Sequence, residues 1–194
     1  MTSPSPSGAA APAPLLLVGG CGFSGWHALN DTVMGGRSQG ATAVGRQGLR
    51  FEGEVVAEGG GFISCRSPVF SPPLDLSGYG ALELELLADG RRYKLAVACA
   101  DGLAGVTELI PGGLRWVAEF DTEPAGAISR VRIPLADLRP SVRARPLGLP
   151  LRFDASRITR LQILHSRFSG DGGSNEGFRA GPIELEIRSI HAVA

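Results

Sequence analysis

The sequence predicts an all-β protein, an antiparallel β-sandwich, and three observations carry this prediction. Apolar and polar residues alternate in many short runs, turn-forming residues separate those runs, and no convincing amphipathic helix is present. The 194 residues include 28 glycines and 14 prolines, which favours frequent turns over long helices. Hydrophobic residues make up 43% of the chain, so a sizeable core can be buried between two sheets.

The alternating runs begin near Leu49 and continue almost to the end of the chain. Side chains two residues apart point to one face of a strand, so each run predicts a strand with one buried face. Turn sequences such as Asp89-Gly90 and Asp171-Gly172-Gly173 lie between the runs. About eight strands without helical crossovers predict a sandwich or a barrel. The predicted inward residues are Leu49, Phe51, Gly53, Val55; Leu82, Leu84, Leu86; Tyr93, Leu95, Val97, Cys99; Trp116, Ala118, Phe120; Val131, Ile133, Leu135; Leu161, Ile163, His165; and Ile183, Leu185, Ile187.

The chain length suits one domain. Residues 1–14 are rich in serine, proline and alanine and predict a disordered tail, which leaves residues 15–194 as a single domain. The apolar run Leu15 to Val18 is too short for a secretory signal, and no basic residue precedes Arg37, which argues against an organellar transit peptide. No run approaches the roughly 18 apolar residues that span a membrane. We therefore expect a cytoplasmic protein.

The charge of the chain is balanced overall but uneven locally. A formal net charge of zero gives no general attraction to nucleic acid or anionic lipid. The segment Arg130 to Arg167, however, holds nine arginines against only Asp137 and Asp154. We interpret it as a solvated strand face, with contact to an anionic partner as the alternative. Few aromatic residues (Phe153, Phe168) accompany these arginines, so no specific nucleic acid is expected.

Signatures of catalysis and metal binding are absent from the sequence. The three cysteines form no Cys-x-x-Cys pair, and the three histidines lack metal-ligand spacing. The segment Gly20 to Gly25 fits the dinucleotide-binding glycine pattern superficially, but Trp26 leads into an Asn-Asp turn and not into a helix. We expect a non-enzyme without a metal or a cofactor.

The first candidate site is an Asn-Asp turn followed by two glycines. Asn and Asp cap turns through their side chains, and glycine allows positive φ or close approach of another backbone. The functional hypothesis is a rigid loop that presents polar groups to a ligand. The alternative, which we favour, is a structural turn whose carboxylate is satisfied by nearby amides or by an arginine. The residues of this site are Trp26, Asn30, Asp31, Met34, Gly35, Gly36 and Ser38.

Two further segments carry candidate binding residues. A glycine triplet leads into a strand with Phe62 and Arg66, and Arg66 is expected to pair with Asp31 or to face a ligand anion. Asp89 and Arg91 lie in a predicted hairpin turn, where their specificity as chemistry is low.

Several of these motifs together resemble the complex I intermediate-associated protein family of the thirty-kilodalton type. The Asn-Asp-Thr-Val-Met-Gly-Gly string is the most specific of them. The chain departs from the family pattern at Ile128-Ser129, where a tryptophan is usual, and in an insertion, Leu103 to Gly113. The resemblance is carried by Trp26, Asn30 to Gly36 and Ser38, Phe51 to Gly53, Gly60 to Arg66, Leu74 to Tyr79, Asp89 to Arg91 with Tyr93, Phe120, Ile133 to Leu135, Ile158, and Glu184 to Ile190.

The resemblance implies a galactose-binding-like jelly roll and a bacterial or cyanobacterial member of the family that binds without catalysing. Its implied role is an assembly factor or chaperone for a membrane-bound respiratory or photosynthetic electron-transfer complex. Its implied partners are protein subunits or assembly intermediates of that complex, with peripheral association at the membrane as a further option. The alternative function, which rests on the jelly-roll prediction alone, is a carbohydrate- or small-ligand-binding module.

Overall fold

The structure is a computed structural model that describes residues 11–100, 113–142, 145–148 and 151–194. Residues 1–10 of the predicted tail and residues 103–112 of the predicted insertion lie outside the described residues. Residues 11–14 precede the first strand and have no regular secondary structure.

The described residues form thirteen β-strands and four short 3-10 helices, and these ranges contain no α-helix. The strands are β1 (Leu15–Gly19), β2 (His27–Asn30), β3 (Gln39–Val44), β4 (Leu49–Val55), β5 (Phe62–Arg66), β6 (Ala81–Leu87), β7 (Arg92–Cys99), β8 (Leu114–Asp121), β9 (Ile128–Pro134), β10 (Arg139–Val142), β11 (Arg145–Pro146), β12 (Ile158–Ser166) and β13 (Gly181–Val193). The 3-10 helices are η1 (Gly20–Phe23), η2 (Asp31–Met34), η3 (Leu135–Asp137) and η4 (Ala155–Arg157).

Two antiparallel sheets make up the fold, as the sequence predicts. The six-stranded sheet has the order β3-β4-β13-β6-β9, with β1 also paired to β13. The seven-stranded sheet has the order β11-β10-β8-β7-β12-β5-β2. One cluster of buried apolar side chains contains residues of both sheets, such as Leu49 and Phe51 from one and Leu95 and Ile163 from the other. The all-β sandwich prediction is therefore confirmed.

The alternating runs form the central strands of both sheets because they can bury one face. In β4, Leu49, Phe51 and Val55 are buried while the residues between them are exposed or half-buried. Strand β13 crosses the six-stranded sheet and pairs with three strands: its first half with β4, its second half with β1, and β6 along the other edge. A bulge lies between Ile187 and Ser189 of β13 in its pairing with β6. Strand β13 thus joins β1 to the central strands β4 and β6.

The number of strands is larger than the sequence predicts. The alternating runs predict strands from Leu49 onward, whereas β1 already begins at Leu15 and pairs with β13. Strands β2, β3, β10 and β11 are short or lie at sheet edges, and they lack the two-residue alternation that marks a strand with one buried face. Strand β2 is held by its register with β5, from His27 opposite Arg66 to Asn30 opposite Ile63.

A buried histidine joins β12 to the segment before β13. The His165 ring stacks on Phe178 with centroids 5.2 Å apart and contacts the Tyr93 ring at 5.4 Å. A neutral ring with its proton on Nδ1 donates to the Arg92 carbonyl at 2.9 Å and accepts at Nε2 from the Arg179 amide at 3.3 Å. Burial lowers the pKa of His165 against the opposing effect of the Arg92 and Arg179 backbone.

We expect the protein to lose stability as the pH falls below about 6.5, where an unfolded histidine takes up a proton. The folded pKa of His165 is lower than that value, so the unfolded state binds more protons in this window and is favoured. Thermal unfolding between about pH 7.5 and about pH 5 measures the effect. His165→Phe keeps an aromatic ring at this position but cannot take up a proton. It should therefore show a smaller fall in melting temperature over this range. An identical pH dependence in both proteins would contradict the assignment.

Candidate functional site

The Asn-Asp turn follows β2 and forms the helix η2, Asp31–Met34. Gly35 ends it with a φ of 87°, in the left-handed region that glycine adopts readily. The backbone N–H of Gly35 donates to the Thr32 carbonyl at 3.2 Å, and that of Gly36 donates to the Asp31 carbonyl at 2.9 Å. The chain therefore closes a tight loop directly after the edge strand of the seven-stranded sheet.

The Asp31 carboxylate is fully buried and accepts four hydrogen bonds. Its Oδ1 accepts from the Ser38 amide at 2.8 Å. Its Oδ2 accepts from the Ser38 hydroxyl at 2.7 Å, the Gly61 amide at 2.7 Å and the Phe62 amide at 3.3 Å. We call Asp31 and these three donor residues the Asp31 hub. A buried charge is tolerated only when hydrogen bonds replace its hydration, and these donors do so.

The pKa of Asp31 lies below the usual aspartate value. Burial is the largest single effect and raises this pKa, but the hydrogen bonds from Gly61, Ser38 and Phe62 together outweigh it. The carboxylate is therefore ionised at neutral pH and acts as an acceptor only. An ionised acceptor that is already surrounded by donors is a structural anchor and not a proton donor or a nucleophile.

Two glycines pack directly against the carboxylate. A Cβ atom added to Gly36 would lie 2.2 Å from Asp31 Cγ, and one added to Gly60 would lie 2.4 Å from Asp31 Oδ2. Neither position has room for a side chain. Gly36 and Gly60 are thus explained by close approach to the same carboxylate, whereas Gly35, Gly59 and Gly61 have positive φ.

Ser38 extends the hub to the loop after β4. Its hydroxyl accepts from the Val56 amide at 3.0 Å and lies 3.3 Å from the Val56 carbonyl. Asn30 adds a bond from its side-chain amide to the Gly40 carbonyl at 3.3 Å. The hub therefore joins η2, the start of β3, the loop after β4 and the start of β5.

The outer side of η2 carries two exposed apolar side chains, Val33 and Met34, which we call the tip. Val33 is 64% exposed and Met34 is 71% exposed. Nearby, Arg37 and Glu58 form an ion pair at 3.6 Å with both side chains in solvent, which contributes little. The hub thus holds an apolar tip in water on a fixed backbone.

The predicted Asp31–Arg66 pair is wrong. Arg66 donates from Nε to His27 Nε2 at 2.9 Å, across the outer face of the seven-stranded sheet. The alternation in β5 explains this, because Ile63 and Cys65 are buried in the core and Arg66 must point to the other side. The backbone amides of Gly61 and Phe62 bond to Asp31 instead, in line with the expectation that nearby amides satisfy its carboxylate.

The remaining predicted site residues do not join the hub through their side chains. Trp26 is 6% exposed and packs edge-to-face on Phe23 in the core. Asp89 and Arg91 form a largely buried ion pair in the turn between β6 and β7. Arg91 also donates to the Pro182 carbonyl at 2.9 Å, so this pair fixes the turn to the start of β13.

The tip residue Val33 is missing from the sequence-predicted site. Apolar side chains in the sequence indicate a core, and no pattern distinguishes the exposed Val33 from a buried valine. Gly60 and Gly61 belong to a glycine motif that the sequence shows, but their long-range contact with Asp31 is not visible in the sequence.

The arginine-rich segment is divided between the two sheets. Arg130 and Arg132 lie on β9 and pair with Glu85 and Glu83 of β6 at 3.1 and 3.2 Å. Arg139, on β10, belongs to the seven-stranded sheet. The segment therefore does not form one strand face.

Among the described residues no cluster of three or more potential metal ligands occurs, and none of their helices is long and apolar enough to cross a membrane.

Comparison with known proteins identifies the family. The family model for complex I intermediate-associated protein 30 (CIA30) matches residues 19–187. The chain belongs to the CIA30 family. The match includes the hub, the tip and most of both sheets. No curated protein sequence is significantly similar to this CIA30 chain.

Solved structures similar to this CIA30 protein include two carbohydrate-binding modules and part of an agarase. A family 11 carbohydrate-binding module from Clostridium thermocellum, in complex with a β-1,3-1,4-mixed-linked tetrasaccharide, is 15% identical with a TM-score of 0.63, over 95% of this chain and 98% of that one. The family 11 module of a cellulosomal cellulase from the same organism is 15% identical with a TM-score of 0.62, over 95% and 97%. An agarase is 10% identical with a TM-score of 0.54, over 94% of this chain and 25% of its own. At these identities the similarity shows the fold alone.

We expect Asp31→Asn to lower the free energy of unfolding by about 2 to 3 kcal/mol. The variant keeps the shape of the side chain but replaces one acceptor oxygen with an NH2 group. This NH2 donor then faces other donors. Urea unfolding followed by circular dichroism measures the change. Asp75→Asn, at an exposed aspartate that bonds only Ser77, is the matched control and should change little. Equal unfolding midpoints for the two variants would contradict the role of the hub.

Gly36→Ala and Gly60→Ala should each lower the melting temperature by about 5 °C, because the added methyl group overlaps Asp31. Gly78→Ala is the control, since nothing lies within 4 Å of a Cβ atom at that position. Differential scanning calorimetry compares the three. A loss at Gly78 as large as that at Gly36 would show that the effect is unrelated to the carboxylate.

Proposed function

We propose that this protein is a non-catalytic assembly factor for a membrane-bound respiratory or photosynthetic electron-transfer complex of the complex I type. The observation that carries the proposal is the match of residues 19–187 to the CIA30 family, whose name describes association with complex I intermediates. Its partners are then protein subunits or assembly intermediates of that complex.

The structure of the Asn-Asp-Thr-Val-Met-Gly-Gly segment supports a binding role. Val33 and Met34 are exposed and lie outside the apolar core, so they do not contribute to the packing of the fold. A buried carboxylate and closely packed glycines nevertheless hold them in place. Presenting apolar groups on a rigid turn reduces the entropy lost on binding. A methionine at the centre of such a contact adapts to an irregular surface. We assign the tip to contact with an apolar site on a client subunit.

The environments of two buried polar side chains, Asp31 and Cys65, support a function without catalysis. The buried Asp31 already accepts four hydrogen bonds. The buried thiol of Cys65 has its pKa raised to about 12 by desolvation, so it is not a nucleophile at neutral pH.

Carbohydrate binding, the alternative, finds little support among the aromatic side chains of the described residues. Sugar-binding sites use exposed aromatic side chains, but Trp26, Trp116 and Tyr93 are buried in the core. Phe168 is the exposed large aromatic side chain among the described residues, at 44%. We therefore place this function second.

We expect a Val33→Ser, Met34→Ser double variant to fold normally but to fail in assembly. In native cells that lack the gene, native gel electrophoresis of membranes should show subcomplexes in place of the complete electron-transfer complex. The wild-type gene restores the complex, whereas the double variant restores clearly less of it because the apolar contact is lost.

Val69→Ser is the matched control, since Val69 is 54% exposed and lies outside the tip. It should restore assembly like the wild type. Intact complexes in cells without the gene would contradict the proposed function. Retardation of the purified protein in a gel containing β-1,3-1,4-glucan, together with intact complexes, would favour the alternative.

A further inference from the structure

An open pocket lies beside the tip, at the end of the seven-stranded sheet where β2 and β12 both finish. Both strands pair antiparallel with β5 between them, so they run in the same direction. Asn30 and His165 lie opposite Ile63 in one cross-strand row, and the chain continues from there into η2 on one side and to Arg167 on the other. The two strand ends are two strand spacings apart, about 10 Å.

The pocket adjoins the turn that carries the tip. A Cβ atom added to Gly59 would lie 3.5 Å from the Gly35 carbonyl oxygen, so the loop after β4 packs against the turn that follows the tip. Two residues of that loop form one wall of the pocket. We call it the Arg167 pocket; its volume is about 450 Å³ and it is lined by Ala57, Glu58, Arg167, Ser174, Asn175 and Phe178.

The guanidinium of Arg167 has donors to spare. The stem of the side chain packs on Gly61, where an added Cβ atom would lie 2.9 Å from Arg167 Cδ. The guanidinium donates from Nη1 to the Ala57 carbonyl at 3.2 Å, and its carbon lies 5.4 Å from the centre of the Phe168 ring. Within the described part of the chain, no carboxylate lies at ion-pair distance from it. Of the five N–H donors of an arginine, most are therefore open to a ligand.

The acidic residues nearest the pocket interact with other arginines. Glu58, on the rim, pairs with Arg37 at 3.6 Å. Asp121 and, more weakly, Glu176 stabilise the charge of Arg92. Arg167 is thus left as a positive charge without a partner, in a pocket that a small group can enter.

The other groups of the pocket favour a carboxylate as its ligand. Ser174 is exposed, and its hydroxyl has no hydrogen-bond partner among the described residues. Ala57 and Phe178 are half-buried and supply apolar walls. A carboxylate forms paired hydrogen bonds with a guanidinium and also accepts from a hydroxyl. Its single negative charge balances the one unpaired arginine.

We infer that the Arg167 pocket binds an acidic side chain of a client subunit while the tip contacts an apolar residue of the same client. The inference rests on the proposed function, since it adds a second, polar contact to the apolar one at the tip. A projecting tip beside a concave pocket matches a shaped protein segment and not a planar membrane surface. The pair of contacts would also add selectivity, because an apolar client without the carboxylate leaves Arg167 unmatched.

The test uses the purified full chain and a helical peptide of about 18 residues, built from alanine and glutamine with one leucine and one glutamate. The two are placed seven residues apart, which in a helix is about 10.5 Å on one face and matches the separation of the strand ends. A second peptide with glutamine in place of the glutamate is the control.

The readout is NMR of the protein with labelled methionine methyl groups. The chain has two methionines, Met1 and Met34, so one of two signals reports on the tip, and Met34→Leu assigns it. The Met34 signal should shift on addition of the glutamate peptide and give a dissociation constant. This constant should increase as the ionic strength rises from about 0.05 M to about 0.5 M, because an ion pair at the surface is screened.

Variants then locate the carboxylate. Arg167→Gln should weaken binding of the glutamate peptide about tenfold, since a charged hydrogen-bond partner is lost. Glu58→Gln should strengthen it about twofold, because a negative charge leaves the rim. The matched controls are Arg130→Gln and Glu83→Gln, at exposed members of arginine–glutamate pairs on the six-stranded sheet, and both should bind like the wild type.

Three results would overturn the inference: no shift of the Met34 signal with the glutamate peptide, equal shifts with the two peptides, or equal affinity in Arg167→Gln and the wild type. Binding of inorganic phosphate or of phosphatidylserine vesicles in place of the peptide would overturn it as well. Intact complexes in the deletion strain together with normal peptide binding would remove the proposed function and leave the pocket standing. Subcomplexes in that strain without peptide binding would do the reverse.

Discussion

The buried carboxylate of Asp31 determines the arrangement of one whole end of the sandwich. A charge in that position requires donors around it, and they come from Ser38 on one side and from Gly61 and Phe62 on the other. The close fit of Gly36 and Gly60 follows from the same requirement. Because those residues lie on segments far apart in the sequence, one side chain joins the entry to β3 with the entry to β5. The exposed position of Val33 and Met34 is a consequence of this anchoring.

The fold class and the central strands could be predicted because their physical cause is local. A strand that buries one face must alternate, and the runs at β4, β6 and β13 do so. Edge strands such as β2 and β11 bury little and are held by backbone pairing with a neighbour, which leaves no trace in the side-chain pattern. The sequence therefore predicts the core of the sandwich but too few strands.

The site was predictable in its residues but not in its contacts. The sequence indicates Asp31, Gly36 and Ser38 as candidate site residues, and the structure joins them. The expected pairing of Asp31 with Arg66 does not form, because charge alone does not show which face of a strand a side chain occupies. Ile63 and Cys65 point to the core, so Arg66 cannot. The distribution of arginines between two sheets likewise depends on topology, since β9 and β10 are neighbours in sequence and belong to different sheets.

The position of β13 has a consequence for biosynthesis. Ribosomes make the chain from its amino end, so β1, β4 and β6 all leave the exit tunnel before the strand that pairs with each of them. Until β13 emerges, the strand edges that face it have no partner, although β3 and β9 can already pair with β4 and β6. Nascent chains in this state are prone to aggregate or to recruit a chaperone. The nascent protein thus passes through a vulnerable interval, which ends only when β13 closes the sheet.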